Sequence, residues 1–330
     1  MRRQGSVRGP VRRTVLAAAF GLVTAGAAGC GIRLDRDPQM PDLSPVDTLR
    51  DAVARTLAAT TADEGTADAI SAFAAAVGPP WNPPEGLAEP VAPPNPDPAP
   101  FAAAEGLADA ARRFVAAAPA LGRRTGLTAV VLADVAAGAL LHLSDLDPEA
   151  AGSIRGELAD AVRTALDVGL TDQAGSGAPV DPGAHPSPAE RDEAHPLAAL
   201  ITASHIAEYV YERASVHLAA DSPARRESHA RIAGLRGIMA IAPTLADDVT
   251  VPSSAPAWKL GERPDDGPTA LAAIRGAEDA LVERLWSARS AVPPAVFLSW
   301  LDDSARARRR ADGFQDLRFE VAQRSPEEDG

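Results

Sequence analysis

The chain has 330 residues, a net charge of −13, 4% aromatic residues and one cysteine. An acidic exterior repels phosphate, which argues against nucleic acid as a partner, and a lone cysteine excludes a disulfide framework. About 300 residues beyond the N-terminal segment exceed one ordinary core, so two domains are expected, built mainly from Ala, Leu, Val and Ile.

The chain opens with Arg2, Arg3, Arg8, Arg12 and Arg13 and no acid, followed by an apolar run from Thr14 to Gly29. Basic head, apolar core and small residues form the plan of an export signal over residues 1–29. As a helix the run spans roughly 24 Å, short of a hydrocarbon core of about 30 Å. A removable signal is therefore expected over a permanent span. Ala27-Ala28-Gly29-Cys30 resembles a lipobox, in which the cysteine sulfur receives diacylglycerol, although Ala27 stands where Leu or Val is usual. Ala25-Gly26-Ala27 offers the alternative of an ordinary cleavage site. The absence of any other cysteine favours lipidation of Cys30 and an anchor on the outer face of the plasma membrane. Arg12-Arg13-Thr14-Val15-Leu16 resembles a twin-arginine core, with a plain basic head as the alternative. Loss of residues 1–29 removes five arginines and no acid, taking the net charge from −13 to −18. That charge suits a body tethered beside an anionic membrane better than one lying flat on it.

A polar tether covers residues 30–43. A first helical region follows over 44–170. Ser44-Pro45 reads as an N-cap with proline at the first helical position, and Leu49, Val53 and Leu57 continue an apolar stripe. A second helix is predicted over about 63–77. Residues 78–100 hold ten prolines, which no helix or central strand survives. They read as an extended connector, or alternatively as a docking motif for a proline-binding partner. Helices are then predicted over about 101–118, 125–143 and 147–169. Residues 171–193, rich in Gly, Pro, Ser and Asp, read as a linker between domains.

The second region, 194–314, carries four predicted helices at about 195–220, 222–242, 268–290 and 294–313, before an acidic tail at 315–330. Two hairpins joined by a longer connector make a four-helix bundle. The expected fold class is all-α, a C-terminal bundle preceded by a second helical region. Trp258, Trp286 and Trp300 are expected as core or connector anchors. The basic run Arg306, Arg308, Arg309 and Arg310 sits near a helix C-terminus, where the helix dipole favours cations.

The lipobox-like Cys30, the Pro- and Ala-rich helical sequence, SHIAEYVYERASVHL and RRESHARIAGLR together resemble actinobacterial lipoproteins that carry a ferritin-like domain of unknown function. The resemblance is most specific over about 195–313. It implies a ferritin-like bundle and brings no activity. A di-iron bundle needs a Glu on each of two helices and Glu-x-x-His on the other two, and two of those histidines are missing here. A reduced metal site is the residual possibility: His205, Glu208 and Glu212 share a helical face, and His229 lies on the next helix. The alternative is that His205 is an interface residue and that the glutamates are solvated or paired with Arg225 or Arg226. Tyr209 and Tyr211 read as bundle packing. No nucleophile elbow, phosphate loop or zinc-protease motif is present. The expectation is a membrane-anchored lipoprotein with a non-catalytic binding or envelope-structural role, an unknown envelope protein as partner and no cofactor beyond its lipid. The alternatives are a metal-binding bundle with a storage or redox role, and a small-molecule carrier using a cleft between the helical halves.

Overall fold

The computed structural model describes residues 43–83, 92–121, 126–175, 195–246, 249, 251–252, 258 and 263–312. The export segment with Arg12, Arg13 and Cys30, the tether to Asp42, residues 176–193 of the linker and the tail 315–330 lie outside the described residues.

The described fold is all-α, apart from one two-residue strand pair. The helices are α1 (Pro45–Ala58), α2 (Glu64–Val77), α3 (Ala103–Ala117), α4 (Gly126–Leu146), α5 (Pro148–Gly175), α6 (Pro196–Ser215), α7 (Pro223–Ile241), α8 (Gly267–Ser287) and α9 (Pro294–Asp312). Their starts follow local chemistry. Ser44, Asp147, Ser222 and Asp266 each accept a hydrogen bond from a backbone N–H three residues on, at 2.9–3.2 Å, and a proline sits in the first turn of the helix that follows. α5 runs five residues into the segment read as linker, to Gly175, because neither Gly nor Pro interrupts Thr171–Ala174.

The compact body begins at Leu43. The two helical regions expected on either side of residues 171–193 are not separate in it: one hydrophobic cluster runs from Leu49 in α1 to Leu301 in α9. The first half of α9 is buried on nearly all sides, because α9 packs on both α4 and α8. Arg155 of α5 reaches across to Asp302 of α9 with two parallel hydrogen bonds of 2.9 and 3.0 Å. α4 is long and apolar enough by composition to cross a membrane, yet 67% of its most apolar window is buried inside the body. It is surrounded by α1, α2, α3, α5 and α9, which explains its apolar character all round.

The proline-rich segment is more than a spacer. Its described parts are strapped to α1. Arg50 donates to the carbonyls of Val77 and Pro79 at 3.2 and 3.0 Å, and Arg55 donates to the carbonyl of Trp81 at 2.6 Å and to Asp97. Asp51 accepts from the Trp81 N–H at 2.7 Å and from the Asn95 amide at 2.9 Å. Prolines lack donors but keep their carbonyls, so a proline-rich strand is held well by arginines. The strap ends in a parallel pairing of Thr60–Thr61 (β1) with Phe101–Ala102 (β2).

This pairing needs a glycine on the neighbouring helix. A Cβ on Gly106 of α3 would lie 2.9 Å from the Thr60 Cβ. Gly106→Ala is therefore expected to destabilise the fold by about 1–3 kcal/mol in urea titration, against a helix-propensity gain of about 0.5–1 kcal/mol. Combining it with Thr60→Gly restores the space and most of the loss. A stabilised Gly106→Ala protein would contradict this packing.

Candidate functional site

The distinctive chemistry lies among α6, α7, α8 and α9. α6 packs on α7 and α8, and α9 packs on α8 and α7, so the four form a closed ring of neighbours. Each contributes one side chain to a buried polar cluster. Arg231 of α7 faces Glu278 of α8 in a two-bond pairing, Nε to Oε1 at 2.8 Å and Nη2 to Oε2 at 2.9 Å. The Tyr211 hydroxyl of α6 donates to Oε1 at 2.8 Å, and Ser304 of α9 donates to Oε2 at 2.5 Å. Tyr211, Arg231, Glu278 and Ser304 are all buried.

Electrostatics keep Arg231 charged and Tyr211 protonated. Burial opposes the Arg231 charge, but Glu278 outweighs it and holds the guanidinium above its ordinary value. Burial, and then the Glu278 charge, push the Tyr211 phenol well above 10, so it stays a donor. Among the described residues, Arg231 Nη1 has no hydrogen-bond partner and its nearest carboxylate besides Glu278 is Asp303, at 4.0 Å. Burial raises the Asp303 pKa, and the charges of Arg231 and Arg306 counter this only in part.

Outside this cluster the arginines of α9 act as clasps. Arg308 pairs with Asp279 of α8 at 2.9 Å, Arg309 with Asp145 of α4, and Arg310 with Glu227 of α7 at 3.1 Å. Arg306 turns back to Asp302 and Asp303. The arginine run, expected near a helix C-terminus, ties α9 to three other helices.

A small half-open pocket lies beside the cluster, with room inside for little more than a water molecule. Tyr211, Ser228 and Arg231 form its inner end. Ala224, Leu271, Ile274 and Ala307 form apolar walls. Glu227 and Arg310 stand at its more exposed edge. It lies within α6–α9, not in a cleft between two helical halves.

The candidate metal residues do not assemble. His205 is half-buried on α6 and His229 is exposed on α7. Glu208 and Glu212 meet, but around Arg236 at 2.6 and 3.5 Å, a partner other than Arg225 or Arg226. Among the described residues no three His, Cys, Asp or Glu side chains form a group suited to a metal ion. Tyr209 carries Arg213 over its ring at 5.9 Å. Trp286 and Trp300 are core residues, the former edge-on to Phe297 with centroids 5.7 Å apart.

Sequence reasoning missed Arg231, Glu278 and Ser304 as a cluster. The signal was present: Arg231 interrupts the stripe leading to Leu235 and Ile238, and Glu278 follows Ile274 by one helical turn. A charge on an apolar stripe asks for a partner across the core. No protein family, no curated protein and no solved structure matches the chain.

Proposed function

We propose that this chain is a lipoprotein anchored through Cys30 on the outer face of the plasma membrane, with a helical body that binds a ligand or envelope partner without catalysing a reaction. Support for the anchor is the order of features: arginine head, apolar run, Ala-Ala-Gly-Cys, polar tether, then a compact body that starts at Leu43. The ring of α6–α9, built as two hairpins with a connector between them, supports reading this region as a ferritin-like bundle. It also supports the resemblance to actinobacterial lipoproteins carrying such a domain.

The observation that carries the non-catalytic reading is the Arg231–Glu278 pair. Each of the four helices offers a polar group to the centre, as metal bundles do, but a guanidinium there faces the carboxylate. An arginine stays protonated at any physiological pH and donates without accepting, so it cannot ligate a metal. The cluster therefore serves structure.

The anchor is tested in the host by fractionation and by mass spectrometry of the mature N-terminus. Cys30→Ser is expected to move most of the protein, about tenfold or more, from the membrane to the soluble fraction, because each buried acyl CH₂ is worth about 0.8 kcal/mol. The wild-type N-terminal peptide should begin at Cys30 and carry acyl mass. An unmodified terminus at Ala28 would remove the anchor from this reading.

A further inference from the structure

We infer that the second half of α9 is an electrostatic latch: residues 303–312 open as one unit about Asp302 when salt screens their ion pairs, while the first half stays docked. The two halves are held by different forces. In the first, Val296, Phe297, Leu298, Trp300 and Leu301 are all buried. Beyond Leu301, the one apolar side chain of α9 buried among the described residues is Ala307. From there onward the helix is fastened by charge. Arg308 pairs with Asp279 of α8 at 2.9 Å. Arg309 pairs with Asp145 of α4 and donates to the Leu141 carbonyl at 3.0 Å. Arg310 pairs with Glu227 of α7 at 3.1 Å. The acid of each pair is 37–53% exposed, so dissolved ions reach all three.

The hinge lies where buried charge gives way to exposed charge. Asp302 is 3% exposed and holds Arg155 of α5 through two parallel hydrogen bonds of 2.9 and 3.0 Å. Salt screens such a pair little. An exposed pair is worth no more than about a fivefold factor, and it loses most of that as the Debye length falls from about 10 Å at 0.1 M to about 3 Å at 1 M. The three exposed pairs lie at the end of the segment. No backbone hydrogen bond before them opens until all three have parted, which makes the segment a unit and not a fraying end. Arg306, paired with Asp303 on the same helix, adds no tie to another element. Opening takes Ser304 from Glu278 and lifts Ala307 and Arg310 from the small pocket they line. The Arg231–Glu278 pair persists, because its partners lie on α7 and α8. The latch thus makes access of water to the buried cluster depend on ionic strength.

The test is amide hydrogen exchange of the full chain, read residue by residue by NMR at fixed pH in about 0.1 M and about 1 M NaCl, with an unfolded peptide as reference for the intrinsic rate. The amides of residues 305–310 are expected to exchange about tenfold faster at the higher salt, by a common factor, while those of 298–301 change less than about twofold. Asp145→Asn and Asp279→Asn, on α4 and α8, should each speed exchange of 305–310 about threefold at the lower salt and weaken its salt response, with circular dichroism unchanged. Arg308→Lys keeps the charge and should exchange like the wild type. Salt-independent exchange of 305–310 would overturn the latch. So would rates that climb steadily from 305 to 310, which is ordinary fraying, or an equal response in 298–301, which means that α9 opens whole. Asp145→Asn and Asp279→Asn without effect on these amides would overturn it as well.

Discussion

Glu278→Leu is expected to lower the stability of the fold by about 3–5 kcal/mol, the largest loss among the single substitutions considered, because it strands a buried guanidinium. Arg231 is 6% exposed and, among the described residues, has no other close carboxylate, since Asp303 stands 4.0 Å from Nη1. The same change leaves the Tyr211 and Ser304 hydroxyls without their acceptor, which adds the desolvation cost of two polar groups. Equilibrium urea unfolding of the full chain reads the loss directly. Replacing the whole cluster at once, with Tyr211→Phe, Arg231→Met, Glu278→Leu and Ser304→Ala, should recover most of it, because a well-packed apolar substitute is often neutral or stabilising. A single variant as stable as the wild type would mean that the pair is not formed in solution. A quadruple variant no better than the single would mean that the cluster adds stability beyond avoiding orphaned charge.

Asp51→Ala is expected to have the second largest effect, about 3 kcal/mol, and to loosen one segment in particular. Asp51 is fully buried and accepts from Arg55, from Asn95 and from the Trp81 N–H. Its removal leaves Arg55, 5% exposed, with Asp97 as its remaining carboxylate partner among the described residues, and takes one tie from each described end of the proline-rich strap. Limited proteolysis should then cut within 79–100 well before the helices, and Asp51→Asn should be milder because it keeps an acceptor for Trp81. The pH dependence has a definite sign. Burial raises the Asp51 pKa, but the hydrogen bonds from Asn95, Trp81 and Arg55 together outweigh it and hold the carboxyl below 3.8. Its contribution is thus complete above pH 3.8 and is lost as pH falls below that value through the folded pKa. Acid titration of the strap's protease sensitivity checks this: wild type should become sensitive only below that pH, whereas Asp51→Ala should be sensitive throughout.

Much of the local structure was legible in the chain. The cap-then-proline pairs at Ser44, Asp147 and Ser222 placed helix starts to within a residue, because capping depends on atoms only three positions apart. The stripe Leu49, Val53 and Leu57 is buried for the same reason: its spacing places it on one face wherever the helix docks. The proline-rich segment shows the limit of such reading. Its composition rightly excluded a helix, yet nothing in it revealed that Asp51 and Arg55 hold it, since those contacts join residues 26 to 44 positions apart.

The candidate site divides in the same way. Glu208 and Glu212 sit together on α6 as their spacing requires, but their partner, Arg236, comes from α7. His229, one residue from the buried Ser228, turns to solvent, so the metal grouping does not form. Apolar periodicity, caps and proline density are short-range properties, and they carried the all-α class and the helix spans. The joining of both helical regions into one core through α9, the pairing of Arg231 with Glu278 and the pocket beside Glu227 and Arg310 depended on which faces meet. That choice belongs to the packing of the whole body, because a charged residue on an apolar stripe specifies the need for a partner without specifying the partner.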